Sequence, residues 1–136
     1  MDVRSHDNIF ADFAYWSASA DECILKDRIL ICTTVPETLA TILSGQPRYL
    51  SGNFHIMLAT SPAPVLENLE RVEGVAIYQV PMIRSISIFA DLRSIVRMTR
   101  LLRRVQPVLV HSYTPKAGLV SMFAAWLCRV PVRVHT

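Results

Sequence analysis

Glycine is scarce in this chain, and its scarcity is the first limit on what the chain can do. Four occur, Gly45, Gly52, Gly74 and Gly118. A dinucleotide site needs glycines in the turn after its first strand, so that backbone can approach a pyrophosphate. The corresponding turn, 33–38, reads TTVPET, and neither G-x-G-x-x-G nor a phosphate-cradling P-loop appears. Hydride transfer and ATP hydrolysis both lose ground. A G-x-S-x-G nucleophile elbow is missing too.

Cysteine is equally sparse. Cys23, Cys32 and Cys128 form an odd set without a C-x-x-C pair, which reads as free thiols in a reducing cytosol. His6, His55, His111 and His135 are never paired at ligand spacing and no carboxylate cluster joins them, so no metal site is expected. Long apolar runs are absent: the uncharged stretches 54–66 and 117–128 fall short of the roughly 20 residues a spanning helix needs. The first 27 residues mix Asp2, Arg4, Asp7, Asp12, Asp21 and Glu22 with single aromatics. They lack the basic start and continuous apolar run of a signal peptide and are expected to form a loose tail.

What is present is an apolar chain of 136 residues, 51% hydrophobic, with mean hydropathy +0.32. That length suits one domain with a real core. From residue 28 onward, β-branched runs at 28–33, 54–60, 74–80, 107–112 and 130–136 alternate with helical spacing at 36–51, 64–73, 88–105 and 115–129. Near-continuous apolar strands are covered on both faces, and the alternation marks βαβ units on a parallel sheet. The expected fold is α/β: a doubly wound, Rossmann-like sheet of order 3-2-1-4-5. Pro36, Pro64 and Pro115 suit helix starts, Gly52 and Gly74 suit helix ends, and Pro47 should kink or shorten the first helix. Ligands of such sheets gather outside the carboxyl ends of the strands. Thr33, Thr34, Ser61, Pro62, loop 81–87, loop 111–116, His135 and Thr136 fall there.

The densest of these loops is HSYTPKAG, 111–118. Thr114 can cap the following helix, Pro115 fits its first position and Lys116 falls in its first turn. A cation there opposes the helix dipole unless an anion also binds. Lys116 therefore either meets a phosphate or extends into water. His111 and His135 end neighbouring strands, where each is either an acid–base group facing the crevice or a buried imidazole satisfied by backbone.

The helix 88–105 carries Arg93, Arg97, Arg100 and Arg104 at spacings of four, three and four, one narrow stripe on a helical wheel. Leu92, Ile95, Val96, Thr99 and Leu102 fall opposite and are expected to pack on the sheet. Arg84 and Arg103 reinforce the stripe, and only Asp91 offsets it within the helix. The stripe is either an ordinary solvated face or a contact for an anionic membrane. Net charge is +3, but stacking aromatics are not interleaved with the arginines, so nucleic acid is not an expected partner.

TTVPETLATILSGQPRYL, the PM-x-R of 81–84 and VHSYTPKAGLVSMFAAWLCRVPVRVHT together resemble glycosyltransferase family 4, in particular bacterial members that add sugars to lipid-linked precursors of surface polysaccharides. The resemblance covers residues 28–136. It implies one half of a GT-B fold, the amino-terminal half that holds the acceptor, facing a second domain that binds the nucleotide-sugar. Transfer in that family retains anomeric configuration without a metal. The co-substrate implied is a nucleotide-sugar of the UDP type, with no resident cofactor.

The family segment usually reads H-x-H-T-P-K-A-G, with its second histidine near the transferred sugar. Here that position is Tyr113, which can donate a hydrogen bond but does not titrate near neutral pH. His111, Thr114, Lys116 and Gly118 match. The resemblance implies Tyr113 and His111 as catalytic, and Thr114, Lys116 and Gly118 as substrate-binding; Thr34, Ser61 and His135 are expected to bind substrate from their place at the carboxyl ends of the strands. Arg84, Arg93, Arg97, Arg100 and Arg104 would meet the membrane or a diphosphate. The implied partners are a lipid-linked saccharide acceptor, an anionic membrane surface at the cytoplasmic side of the inner membrane, and a donor-binding half that is not part of these 136 residues. Alone, the chain is expected to be inactive. The reading from another class is a non-catalytic module whose crevice binds an anion or a partner protein.

Overall fold

The computed structural model describes residues 26–136, so the expected tail, Lys26 and Asp27 apart, lies outside the described residues, and so does Cys23. Five strands, β1 (Arg28–Cys32), β2 (His55–Thr60), β3 (Ala76–Gln79), β4 (Leu109–Ser112) and β5 (Val132–His135), form one sheet. All pairs are parallel and the order is β3-β2-β1-β4-β5, as the alternation predicts. The helices are α1 (Pro36–Thr41), α2 (Gln46–Leu50), α3 (Leu66–Glu73), α4 (Ile88–Val105) and α5 (Pro115–Leu127).

Side chains of a strand alternate between faces, and the two cores show it. Leu30, Cys32, Met57 and Ala59 pack with Met98 and Leu102 of α4 and Val120 and Ala124 of α5. Ile31, Ile56 and Leu58 pack with Leu39 of α1, Leu43, and Leu66 and Leu69 of α3. Helices thus cover both faces, which explains strands without polar alternation.

The helix expected over 36–51 is two helices. Gly45 takes a left-handed conformation (φ 78°) at the start of α2, where glycine avoids the Cβ penalty. Pro47 consequently sits in a fresh first turn, not inside a kinked helix. The buried carboxylate of Glu73 accepts the N–H groups of Gly45 (2.8 Å) and Arg48 (3.2 Å), an anion at the positive end of α2. Gly74 closes α3 in the left-handed form as expected, whereas Ser51, not Gly52, caps α2. Pro64 lies two residues before α3 and does not open it. Gln106 and Arg129 hold positive φ, 48° and 54°, where α4 and α5 end. The Arg28 guanidinium donates to the Val105 carbonyl there at 3.1 Å.

Candidate functional site

The start of α5 is assembled from two crossover loops. Thr114 is its N-cap residue, but its side chain does not cap it, contrary to expectation. Instead the Thr34 hydroxyl, from the loop after β1, accepts the Ala117 N–H at 3.1 Å. Thr114 Oγ1 in turn accepts the Thr34 N–H at 2.9 Å, and the two hydroxyls lie 2.6 Å apart. Each threonine does for the other loop what a cap does for its own helix. Thr34 is buried, and its hydroxyl is committed inside the protein.

Ser61 has a similar tie. Its hydroxyl donates to the Met82 carbonyl (2.9 Å) and accepts the Met82 N–H (3.1 Å), fixing the loop after β3 to the end of β2. Lys116 does not extend into water. Its ammonium pairs with Asp91 Oδ1 of α4 and donates to the Ser85 carbonyl at 3.0 Å. The two side chains are only 10% and 13% exposed. The anion that offsets the helix dipole therefore comes from α4, and the same contact pins the 81–87 loop against the start of α5.

His111 and His135 do not share a face. Ser112 is in register with His135 and His111 with Val134, so the imidazoles emerge on opposite sides of the sheet. His111 stacks on Tyr113, with ring centroids 4.1 Å apart, and its Nε2 lies 2.8 Å from Thr136 Oγ1. Burial, then the charge of His135, lowers its pKa from the usual 6.5, so the ring is neutral at pH 7 and can donate through one nitrogen and accept through the other. The Tyr113 hydroxyl donates to Gln46 Oε1 at 3.5 Å. His135 Nδ1 lies 2.8 Å from the buried Ser112 hydroxyl. Its ring occupies the space a Cβ on Gly118 would fill, at 2.5 Å, so the glycine admits the imidazole.

On α4 the structure corrects the expected packing face. Ser94, Met98, Leu102 and Val105 are buried; Ile95 is partly buried, while Leu92 (58%) and Val96 (41%) are exposed. Phe89 (87%) and Ile88 extend this outward apolar ridge, and Ile86 precedes it in the loop. Arg93, Arg97, Arg100 and Arg104 run beside it, and among the described residues none forms a salt bridge with a carboxylate. Arg84 is exposed in the loop. No helix of the described residues is long and apolar enough to cross a membrane, and among them no group of three or more His, Cys, Asp or Glu side chains is placed to hold a metal. Cys32 and Cys128 are free thiols; burial pushes Cys32 up to about 12, leaving it an inert core residue.

Residues 46–136 match the Glycosyl transferase 4-like domain, and the chain belongs to that family. It is 30% identical over 112 residues to the capsular polysaccharide biosynthesis glycosyltransferase CapM of Staphylococcus aureus, covering 82% of this chain and 28% of that protein. It is 28% identical to the UDP-Gal:alpha-D-GlcNAc-diphosphoundecaprenol alpha-1,3-galactosyltransferase of Escherichia coli, covering 72% of this chain and 27% of that protein. The chain thus spans little more than a quarter of the curated relatives it matches. Acinetobacter baumannii MurG superposes with TM-score 0.62 at 14% identity, over 80% of this chain and 35% of MurG, which shows the shared Rossmann-like fold.

Proposed function

We propose that this chain is the acceptor-side half of a retaining glycosyltransferase that moves a sugar from a UDP-sugar to a lipid-linked saccharide during surface polysaccharide synthesis. The reading places it at the cytoplasmic side of the membrane. The observation that carries it is the neutral His111 stacked on Tyr113 at the carboxyl end of β4, in a chain of this family. The pair offers hydrogen-bond donors and acceptors to a sugar hydroxyl without adding charge. An oxocarbenium-like transition state is helped chiefly by positioning and fixed dipoles. Thr34, Thr114, Ser61, Lys116, Gly118 and His135 would hold the crevice walls in place through their mutual contacts.

The donor would be held by a second half. β5 is exposed along its whole length, and α5 turns Leu119, Phe123, Trp126 and Leu127 outward. An open strand edge beside apolar side chains suits burial against further structure. The arginines of α4 would face the anionic membrane that carries the acceptor.

The test mixes this chain with a separately expressed donor-binding half of a relative, a labelled UDP-sugar and a lipid-linked saccharide. Transfer by the mixture, absent from either part alone and lowered at least about tenfold by Tyr113→Phe or His111→Gln, is the expected result, the size matching loss of one positioned hydrogen-bonding group. Transfer by this chain alone would contradict the two-half reading. Full transfer by the Tyr113→Phe, His111→Gln double variant would remove both from the catalytic role.

A further inference from the structure

The sequence carries no aspartate or glutamate after Asp91, and three arginines of that acid-free stretch line the end of the sheet opposite the crevice. Arg103 lies in the last turn of α4, Arg129 follows α5 and Arg133 lies in β5. Two open cavities of about 480 and 500 Å³ adjoin at the amino ends of β4 and β5, sharing Arg129, Val130 and Pro131, and together make one groove. Arg103 lines the first, and Arg133 and Trp126 line the second. All three arginines are exposed, and among the described residues none pairs with a carboxylate. Arg133 Nη1 donates to the Val130 carbonyl at 2.9 Å, which holds its side chain beside the groove. Gln106 and Arg129 are the non-glycine residues with positive φ among the described residues, 48° and 54°, and both line the groove. A helix end in that conformation favours glycine, which has no Cβ penalty. Long polar side chains kept there at a local backbone cost point to a use other than folding.

We propose that this groove docks an acidic segment of a partner protein, one in which carboxylates alternate with apolar side chains. The carboxylates meet the guanidiniums of Arg103, Arg129 and Arg133, whose planar fork matches a carboxylate through two parallel hydrogen bonds. The apolar side chains lie on Val108, Leu127, Pro131 and the exposed Trp126 ring. Arginine and tryptophan are enriched among the residues that dominate binding between proteins. One exposed ion pair contributes little, but three cations along a concave, partly apolar track fix the sign and register of what binds. A run of nucleotides would find a single aromatic ring to stack on, and a flat bilayer does not follow a concave track. Because the groove lies at the amino ends of the strands, its occupant leaves the crevice open, and the inference stands apart from the acceptor reading.

The full chain is titrated, by fluorescence anisotropy, with a labelled peptide that alternates glutamate with leucine and phenylalanine, and with the same peptide carrying glutamine for glutamate. A labelled single-stranded oligonucleotide and vesicles containing phosphatidylglycerol serve as the other anionic classes. The glutamate peptide should bind and the glutamine peptide should not. R103S/R129S should weaken binding at least about tenfold, the size expected when two charge-assisted contacts are lost. R48S/R71S removes equal charge from exposed positions on α2 and α3 and should weaken it less than about twofold. R129G separates docking from folding: it relieves the positive φ, so its denaturation midpoint should stay at or above the parent's while peptide affinity falls. Equal losses for the two arginine pairs would reduce the groove to diffuse charge and overturn the proposal, and full affinity in R129G would contradict it. Absence of glutamate-peptide binding by the folded parent would overturn it outright. Oligonucleotide or vesicle binding that fails in R103S/R129S, with no binding of the glutamate peptide, would assign the groove to nucleic acid or lipid instead.

Discussion

The start of α5 and the outward side of α4 carry the two groups of residues that stand out in the sequence, and the structure treats them in opposite ways. Around α5 nearly every polar group has an internal partner: Thr34 with Ala117, Thr114 with Thr34, Lys116 with Asp91 and Ser112 with His135. On α4 the arginines have no carboxylate among the described residues and the apolar side chains beside them have no cover. Motif residues at the start of α5 hold one another in a framework, while the arginines and apolar side chains on the outward face of α4 are left without such partners among the described residues.

If the α5 start is framework, breaking it should cost stability, with the largest loss at its buried charge pair. Lys116→Met leaves Asp91 buried without its counter-charge and should destabilise by about 3 kcal/mol, the lower end for a broken buried pair because both groups keep slight exposure. The Asp91→Asn, Lys116→Met double variant should recover most of that in denaturant unfolding. A single variant as stable as the parent would show that the pair contributes little and would free Lys116 for ligand.

Thr34→Val keeps shape but leaves the buried Ala117 N–H without an acceptor. A loss of about 2 kcal/mol is expected for such an orphaned donor, and a neutral result would contradict the reciprocal capping. Gly118→Ala should cost about 1 kcal/mol, because the added Cβ displaces the His135 ring and breaks its bond to Ser112. His135→Ala should cancel that cost, since alanine is otherwise the better helix former. Failure of the rescue would place the clash elsewhere.

The smallest effect is a pH dependence. Burial lowers the pKa of His111 and of His55 from the usual 6.5, with His135 adding to the first and Arg28 and Lys26 to the second. The unfolded chain therefore takes up protons before the folded one as pH falls through that value, so stability is whole above it and is lost below. Denaturation midpoints should fall between about pH 7.5 and about pH 5.5, less steeply in His111→Gln. A midpoint that rises on acidification would reverse the sign.

The sheet was legible because proline and glycine punctuate runs of β-branched residues, and parallel topology then fixes where the crevice lies. The features that escaped are long-range. Gly45 breaks the first helix because Glu73, distant in sequence, anchors both Gly45 and Arg48. Thr34 and Thr114 exchange caps across 80 positions, and Lys116 finds Asp91 on another helix. On α4 the arginine stripe was readable, but the packing face was not. Ser94, Met98, Leu102 and Val105 form a stripe as regular as that of Leu92, Ile95, Val96, Thr99 and Leu102, and the docking of α4 on the sheet beside α5 chose between them. The serine had masked the true face.

Hydroxyl-radical footprinting of the full chain, with and without vesicles containing phosphatidylglycerol, tests the contrast between the two regions most directly. Vesicles should protect Phe89, Leu92 and Ile86, all exposed in the free chain, and leave His111 and Tyr113 labelled as before, because the crevice would await the saccharide and not the bilayer. Protection of His111 and Tyr113 with undiminished labelling of Phe89 and Leu92 would reverse the assignment and make the α5 start the surface that meets lipid.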